Sequence, residues 1–105
     1  MATLIEMLKT TVELNGSDLH ITADTPPQVR VHGHLQRLLL PELTPSETKQ
    51  LVYSVLTDSQ KKRFEESNEL DFSFGIKGLS RFRCNVFTQR GAGAAVYRLI
   101  PETIR

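Results

Sequence analysis

The sequence predicts an α+β domain, an antiparallel sheet with helices packed on it. Three observations carry that prediction. Residue patterning alternates between the helical period and the period of two, in the order helix, three strands, two helices, three strands. A helix start, "TPSE", divides the two groups of strands. And 105 residues with a 39% hydrophobic and a 24% charged fraction suffice for one modest core, so the strands belong to one domain.

Each element has its own warrant. In "TLIEMLKTTVELNG" Leu4, Ile5, Leu8 and Val12 lie near one helical stripe, and Asn15-Gly16 supplies the stop, with glycine expected in the left-handed cap. "SDLHIT" alternates: Leu19 and Ile21 face one way, Asp18, His20 and Thr22 the other. "ADTPPQ" is a turn, because its prolines are excluded from a central strand. "VRVHGHLQRLLL" reads as a hairpin with His32-Gly33 at its tip, Val29 and Val31 leading in and Leu35 leading out. The following helix has Thr44 as cap, Pro45 at its first position, Glu47 closing a capping box, and Leu51, Val52, Val55 and Leu56 as its apolar face. A short polar helix capped by Thr57 or Asp58 is anchored by Phe64. From Glu69 to Ile100 the period is two, in the strands "ELDFSFGI", "LSRFRCNVFTQ" and "AAVYRLIP". Phe72 and Phe74 share a strand face and are assigned to the core rather than to base stacking.

Composition excludes several functions. A net charge of +1 gives no global field for nucleic acid or an anionic membrane, so any cationic role needs local clustering. The lone Cys84 sits in an apolar alternation and reads as a buried, inert thiol. "MATLIEMLKT" lacks the unbroken apolar run of a signal peptide, and no segment approaches the roughly 18 apolar residues of a membrane span. A cytosolic protein, or one held at a membrane by a partner, is expected. His32 and His34 flank a turn glycine with no cysteine or carboxylate at ligand spacing, and no metal site is expected there or at His20. Asp18 and His20 lack a nucleophile partner for hydrolase chemistry and are assigned to structural hydrogen bonds or an interface. Lys61 to Arg63, followed by Glu65 and Glu66, is a solvated helix face.

The stretch from Ser80 to Pro101 holds four arginines in an otherwise balanced chain: Arg81, Arg83, Arg90 and Arg98. Alternation sets Phe82, Cys84 and Val86 on one face, and Arg81, Arg83, Asn85 and Phe87 on the other. If the turn is centred between residues 90 and 91, Arg83 and Arg98 lie directly opposite on one face with Val96 and Ile100. Like charges so placed are destabilising unless an anion sits between them, and their mixture with apolar residues describes a docking surface that grips phosphate or carboxylate. The plainer alternative, outward arginines neutralised by Asp71 or Glu69, stands beside it.

Two segments resemble a known family. "GSDLHITADTPPQVRVHGHLQRL" resembles the N-terminal signature of the type II/type IV secretion ATPases, and "ELDFSFGIKGLSRFRCNVFTQRGAGAAVYRLIP" is similar to the type IV pilus retraction (PilT-like) ATPases. The resemblance covers essentially the whole chain. It follows Met1 after one helix, whereas pilus-extension and type II secretion ATPases carry further domains upstream, which leads to the retraction branch, accessory paralogues included. The resemblance implies a PAS-like domain over residues 1–100, with 101–105 beginning a linker to a RecA-like motor domain that the sequence lacks. It implies a cytoplasmic homo-hexamer at the inner-membrane base of the pilus, partnered by the motor domains of its own and neighbouring subunits and by the pilus platform protein. It further implies that Arg83 and Arg98 reach ATP phosphates held with Mg²⁺ by a motor domain, with Arg81, Phe87, Asp18 and His20 as interface residues and Arg90 a solvated loop residue. No G-x-x-x-x-G-K-[ST] occurs, and "RGAGAA" lacks the lysine and the helix, so this segment alone is expected neither to bind a cofactor nor to be catalytic. Two other readings remain: a free-standing PAS-like sensor or adaptor for a small ligand or protein, and a single-strand nucleic-acid module built on the arginine hairpin and Phe87, which the near-neutral charge disfavours.

Overall fold

The computed structural model describes residues 2–101, so of the expected linker only Pro101 falls within it and 102–105 lie outside the described residues. The element order is α1 (Leu4–Glu13), β1 (Asp18–Thr22), β2 (Gln28–Val31), β3 (His34–Arg37), α2 (Pro45–Tyr53), α3 (Asp58–Ser67), β4 (Glu69–Ile76), β5 (Ser80–Gln89) and β6 (Ala92–Ile100). The strands form one antiparallel sheet in the order β3-β2-β1-β6-β5-β4. Two hairpin units, β1–β2–β3 and β4–β5–β6, thus meet where β1 pairs with β6. The last strand among the described residues, β6, lies in the middle of the sheet.

Every helix begins with a reciprocal capping box: Thr3 with Glu6, Thr44 with Glu47 behind Pro45, and Thr57 with Gln60. Each threonine oxygen accepts a backbone N–H that the first helical turn cannot satisfy. Thr57, not Asp58, is the cap of α3. At the other end of that helix Asn68 takes the left-handed conformation (φ 60°) that turns the chain into β4.

The helices cover one face of the sheet. Leu19, Ile21, Val29, Phe82, Cys84, Val86, Ala95 and Tyr97 project into the core and meet Leu4, Met7 and Leu8 of α1, Leu51 and Val52 of α2, and Phe64 of α3. Phe72 and Phe74 stack at 6.1 Å between ring centroids and pack on the same core, as the alternation requires. The loop after β3 adds Leu43, whose backbone exchanges hydrogen bonds with Asp24 and Thr25.

Three details depart from the sequence expectation. In α1 the buried stripe is Leu4, Met7, Leu8 and Thr11, while Ile5 is 45% exposed. A stripe through 4, 7, 8 and 11 is the regular core-facing pattern, and Ile5 lies one step round from it. The left-handed residue ending α1 is Asn15 (φ 59°), not Gly16. Gly16 is required for space instead: a Cβ there would sit 2.6 Å from Val29 Cγ1 and 3.0 Å from the Arg30 carbonyl oxygen. Finally, Val55 and Leu56 lie past the end of α2, with Leu56 buried from the connection to α3.

Candidate anion-binding face

The face of the sheet opposite the helices carries the polar residues, in rows that run across the strands. Its register follows from two tight turns. His32-Gly33 joins β2 to β3 and Arg90-Gly91 joins β5 to β6, each with positive φ at both positions, the geometry of a two-residue hairpin. The second turn pairs Gln89 with Ala92, and six steps back along the ladder it pairs Arg83 with Arg98. One row therefore reads Leu35, Arg30, Asp18, Arg98, Arg83, Ser73 from β3 to β4. The next reads Arg37, Gln28, His20, Val96, Asn85, Asp71.

Arg83 and Arg98 are exposed, and among the described residues neither forms an ion pair with a carboxylate. They line a shallow depression of ≈ 320 Å³ together with Asp71, Cys84, Asn85 and Val96. Of the acids considered from sequence, neither forms an ion pair with these arginines among the described residues, though Asp71 lines the same depression. Asp71 Oδ1 accepts a hydrogen bond from the Asn85 amide at 2.9 Å, and Glu69 pairs in register with Phe87. Two cationic forks side by side beside an amide donor make a surface suited to a multiply charged oxyanion.

Asp18 sits between two arginines in its row but engages only one. Its Oδ1 accepts from Ser17 Oγ at 2.6 Å, while Oδ2 accepts from His20 Nε2 and lies 3.5 Å from Arg30 Nε. Burial raises the Asp18 carboxyl pKa, but the Ser17 hydroxyl, His20 and Arg30 together outweigh it and hold the group below its ordinary value. Arg30 is braced a second time, donating from Nη1 to the Gly33 carbonyl at 3.2 Å.

The other sequence candidates lie further off. Arg81 leans over β4, where a Cβ at Gly75 would meet its Nη1 at 2.9 Å, and its Nη2 is 3.5 Å from Ser73 Oγ. Phe87 shares the face but stands two same-face positions along β5 from Arg83, half-buried beside Ala94. Arg90 occupies the exposed turn. Cys84 projects into the core, where burial pushes its thiol up to about 12. Arg30 and Asn85 are the participants that sequence reasoning did not single out. Alternation already placed Asn85 on the arginine face, though without a role, whereas the contact of Arg30 with Asp18 spans the loop between β1 and β2 and does not follow from periodicity. Among the described residues no group of three or more His, Cys, Asp or Glu is placed to hold a metal, and no helix is long and apolar enough to cross a membrane.

No protein-family model matches the chain. It is 41% identical over 101 residues to the type IV pilus retraction ATPase PilT of Pseudomonas aeruginosa, an alignment that spans 96% of this chain and 29% of that protein. To the twitching motility protein of Neisseria gonorrhoeae it is 37% identical over 102 residues, spanning 96% of this chain and 27% of that one. The crystal structure of the pilus retraction motor PilT with bound ADP superposes with a TM-score of 0.93 at 43% identity, covering all of this chain and 31% of the motor. Fold and sequence together match the N-terminal domain of the pilus retraction motor. The chain is homologous to the type IV pilus retraction, or twitching motility, ATPases. The chain spans less than a third of the length of the relatives it matches.

Proposed function

We propose that this chain is the N-terminal interface domain of a hexameric ATPase that powers type IV pilus retraction. The open face of its PAS-like sheet docks on the RecA-like motor domain of a neighbouring subunit and presents Arg83 and Arg98 to the phosphates of ATP. The motor domain, reached through a linker starting at residues 101–105, holds the nucleotide and Mg²⁺. The assembly acts on the cytoplasmic side of the inner membrane, against the pilus platform protein. The observation that carries this reading is the register pairing of two exposed arginines with no carboxylate partner among the described residues.

The chemistry fits. Phosphoryl transfer is accelerated mainly by positioning and by charge placed against the phosphate oxygens, and a guanidinium fork supplies both. Arginines set on adjacent central strands are held more rigidly than loop residues, so a movement of the domain would carry both toward or away from the nucleotide together. Arg81, Phe87, Asp18 and His20 contribute to the docking surface around them.

The test is turnover in the full-length protein. Arg83→Ala and Arg98→Ala should each lower kcat for ATP hydrolysis, on the order of 10²–10³-fold, without lowering the melting temperature. Arg83→Lys, which keeps charge but not the fork, should recover only part of the loss. Wild-type turnover in both alanine variants would overturn the assignment.

A further inference from the structure

We infer that Arg30 and His20 serve the anion site by sequestering a carboxylate: they hold Asp18 away from Arg98 and so leave Arg98 free to bind phosphate. The inference rests on the reading of Arg83 and Arg98 as a phosphate site and adds to it two positioning residues on different strands. Asp18 is the register partner of Arg30 on one side and of Arg98 on the other. A carboxylate between two adjacent guanidinium groups has no intrinsic preference for either. Here the balance is set by the surroundings. Ser17 Oγ occupies Oδ1, and His20 Nε2 and Arg30 Nε both approach Oδ2. Arg30 is further fixed by the Gly33 carbonyl, which the β2–β3 turn aims at its Nη1. Both carboxylate oxygens are thus engaged, and among the described residues Arg98 makes no ion pair.

Loss of either holding group would leave Oδ2 with one donor in place of two and loosen its hold on the β2 side. The nearest unpaired guanidinium in the row is that of Arg98, one strand away. An Asp18–Arg98 pair would neutralise half of the arginine pair and compete directly with an incoming phosphate. The polar strand "SDLHIT" and the hairpin "VRVHG" therefore belong to one device, in which the turn braces Arg30, Arg30 holds Asp18, and Arg98 remains available.

A double-mutant cycle on this chain tests it, with inorganic tripolyphosphate as the probe and the side-chain Nε–Hε NMR signals of Arg83 and Arg98 as the readout. Arg30→Gln should weaken tripolyphosphate binding by about three-fold, the scale of one exposed ion pair. Asp18→Asn should strengthen binding in both backgrounds, but by a factor about three-fold larger in Arg30→Gln than in the wild type. That excess separates release of the carboxylate from a general change in field, which would act equally in both backgrounds. Equal factors would overturn the sequestering role while leaving the phosphate site intact. Failure of tripolyphosphate to bind the wild type, or binding unaffected by Arg83→Ala and Arg98→Ala, would overturn the site and this proposal with it. Should Arg30→Gln not fold, His20→Gln loosens the same oxygen and the cycle with Asp18→Asn reads the same coupling.

Discussion

Arg83 and Arg98 face each other across β5 and β6 as register partners, two like charges in one cross-strand pair with no carboxylate bound to either among the described residues. Such a pair opposes folding, since like charges directly opposite on a sheet repel. Replacing either arginine by alanine should leave this chain as stable or stabilise it by about 0.5 kcal/mol at low ionic strength. Added salt should remove that difference by screening. Urea melts of wild type and Arg98→Ala at low and high salt read it out. A variant clearly less stable than wild type would show the arginines to be structural.

The stop of α1 divides its two requirements between Asn15 and Gly16. Asn15 has φ 59°, while Gly16 packs within what would be 2.6 Å of Val29 Cγ1. Gly16→Ala should therefore destabilise the chain by about 1–3 kcal/mol, because strand β2 must shift to admit a methyl group. Asn15→Gly should be tolerated, since glycine adopts the left-handed region without strain. Thermal melts of both variants decide it. The reverse order would mean that backbone conformation, not space, governs the stop.

Acid should expose the Asp18 network. The carboxyl's pKa is lowered in the folded chain, so its stabilising contribution is complete above the ordinary value of 3.8 and disappears as pH falls through the lower folded value. Asp18→Asn should destabilise the chain at neutral pH by about 1 kcal/mol and show a flatter acid limb than wild type. Urea unfolding at pH 7 and near pH 3 measures the gap, which should narrow in acid. A gap independent of pH would contradict the lowered pKa.

Alkali should act from inside. Burial pushes the Cys84 thiol to about 12 from an ordinary 9.0, and Tyr97, fully buried on the neighbouring strand, is raised as well. Both groups keep their protons in the fold while the unfolded chain loses them. The stability present below pH 9 should fall as pH rises, by about 1.4 kcal/mol per pH unit for each group titrating. Cys84→Ala costs packing but should reduce the slope between about pH 9 and pH 10 by one such increment. An unchanged slope would mean that Cys84 titrates in the fold.

Local chemistry was legible in the sequence because it depends on near neighbours in the chain. The capping box at Thr44 is one case. The alternation of Phe82, Cys84 and Val86 against Arg83 and Asn85 is another, and with the turn centred at Arg90-Gly91 it places Arg83 opposite Arg98 without reference to any other element. The same locality explains the errors. Ile5 is as apolar as Leu4, and only the position of the sheet decides which of them is buried.

By itself, then, the sequence determined the order of elements, the face on which the arginines stand and their pairing, since periodicity and turn length set these within one hairpin. Only the tertiary structure decided what lies beside that hairpin. The pairing of β1 with β6 joins segments some eighty residues apart and brings Asp18 into the row of Arg98. The loop from β1 to β2 then delivers Arg30 to the other side of the same carboxylate. Strand order and register across such distances follow from burying the helix face of the whole sheet at once, a cooperative requirement that no single stretch of the chain carries.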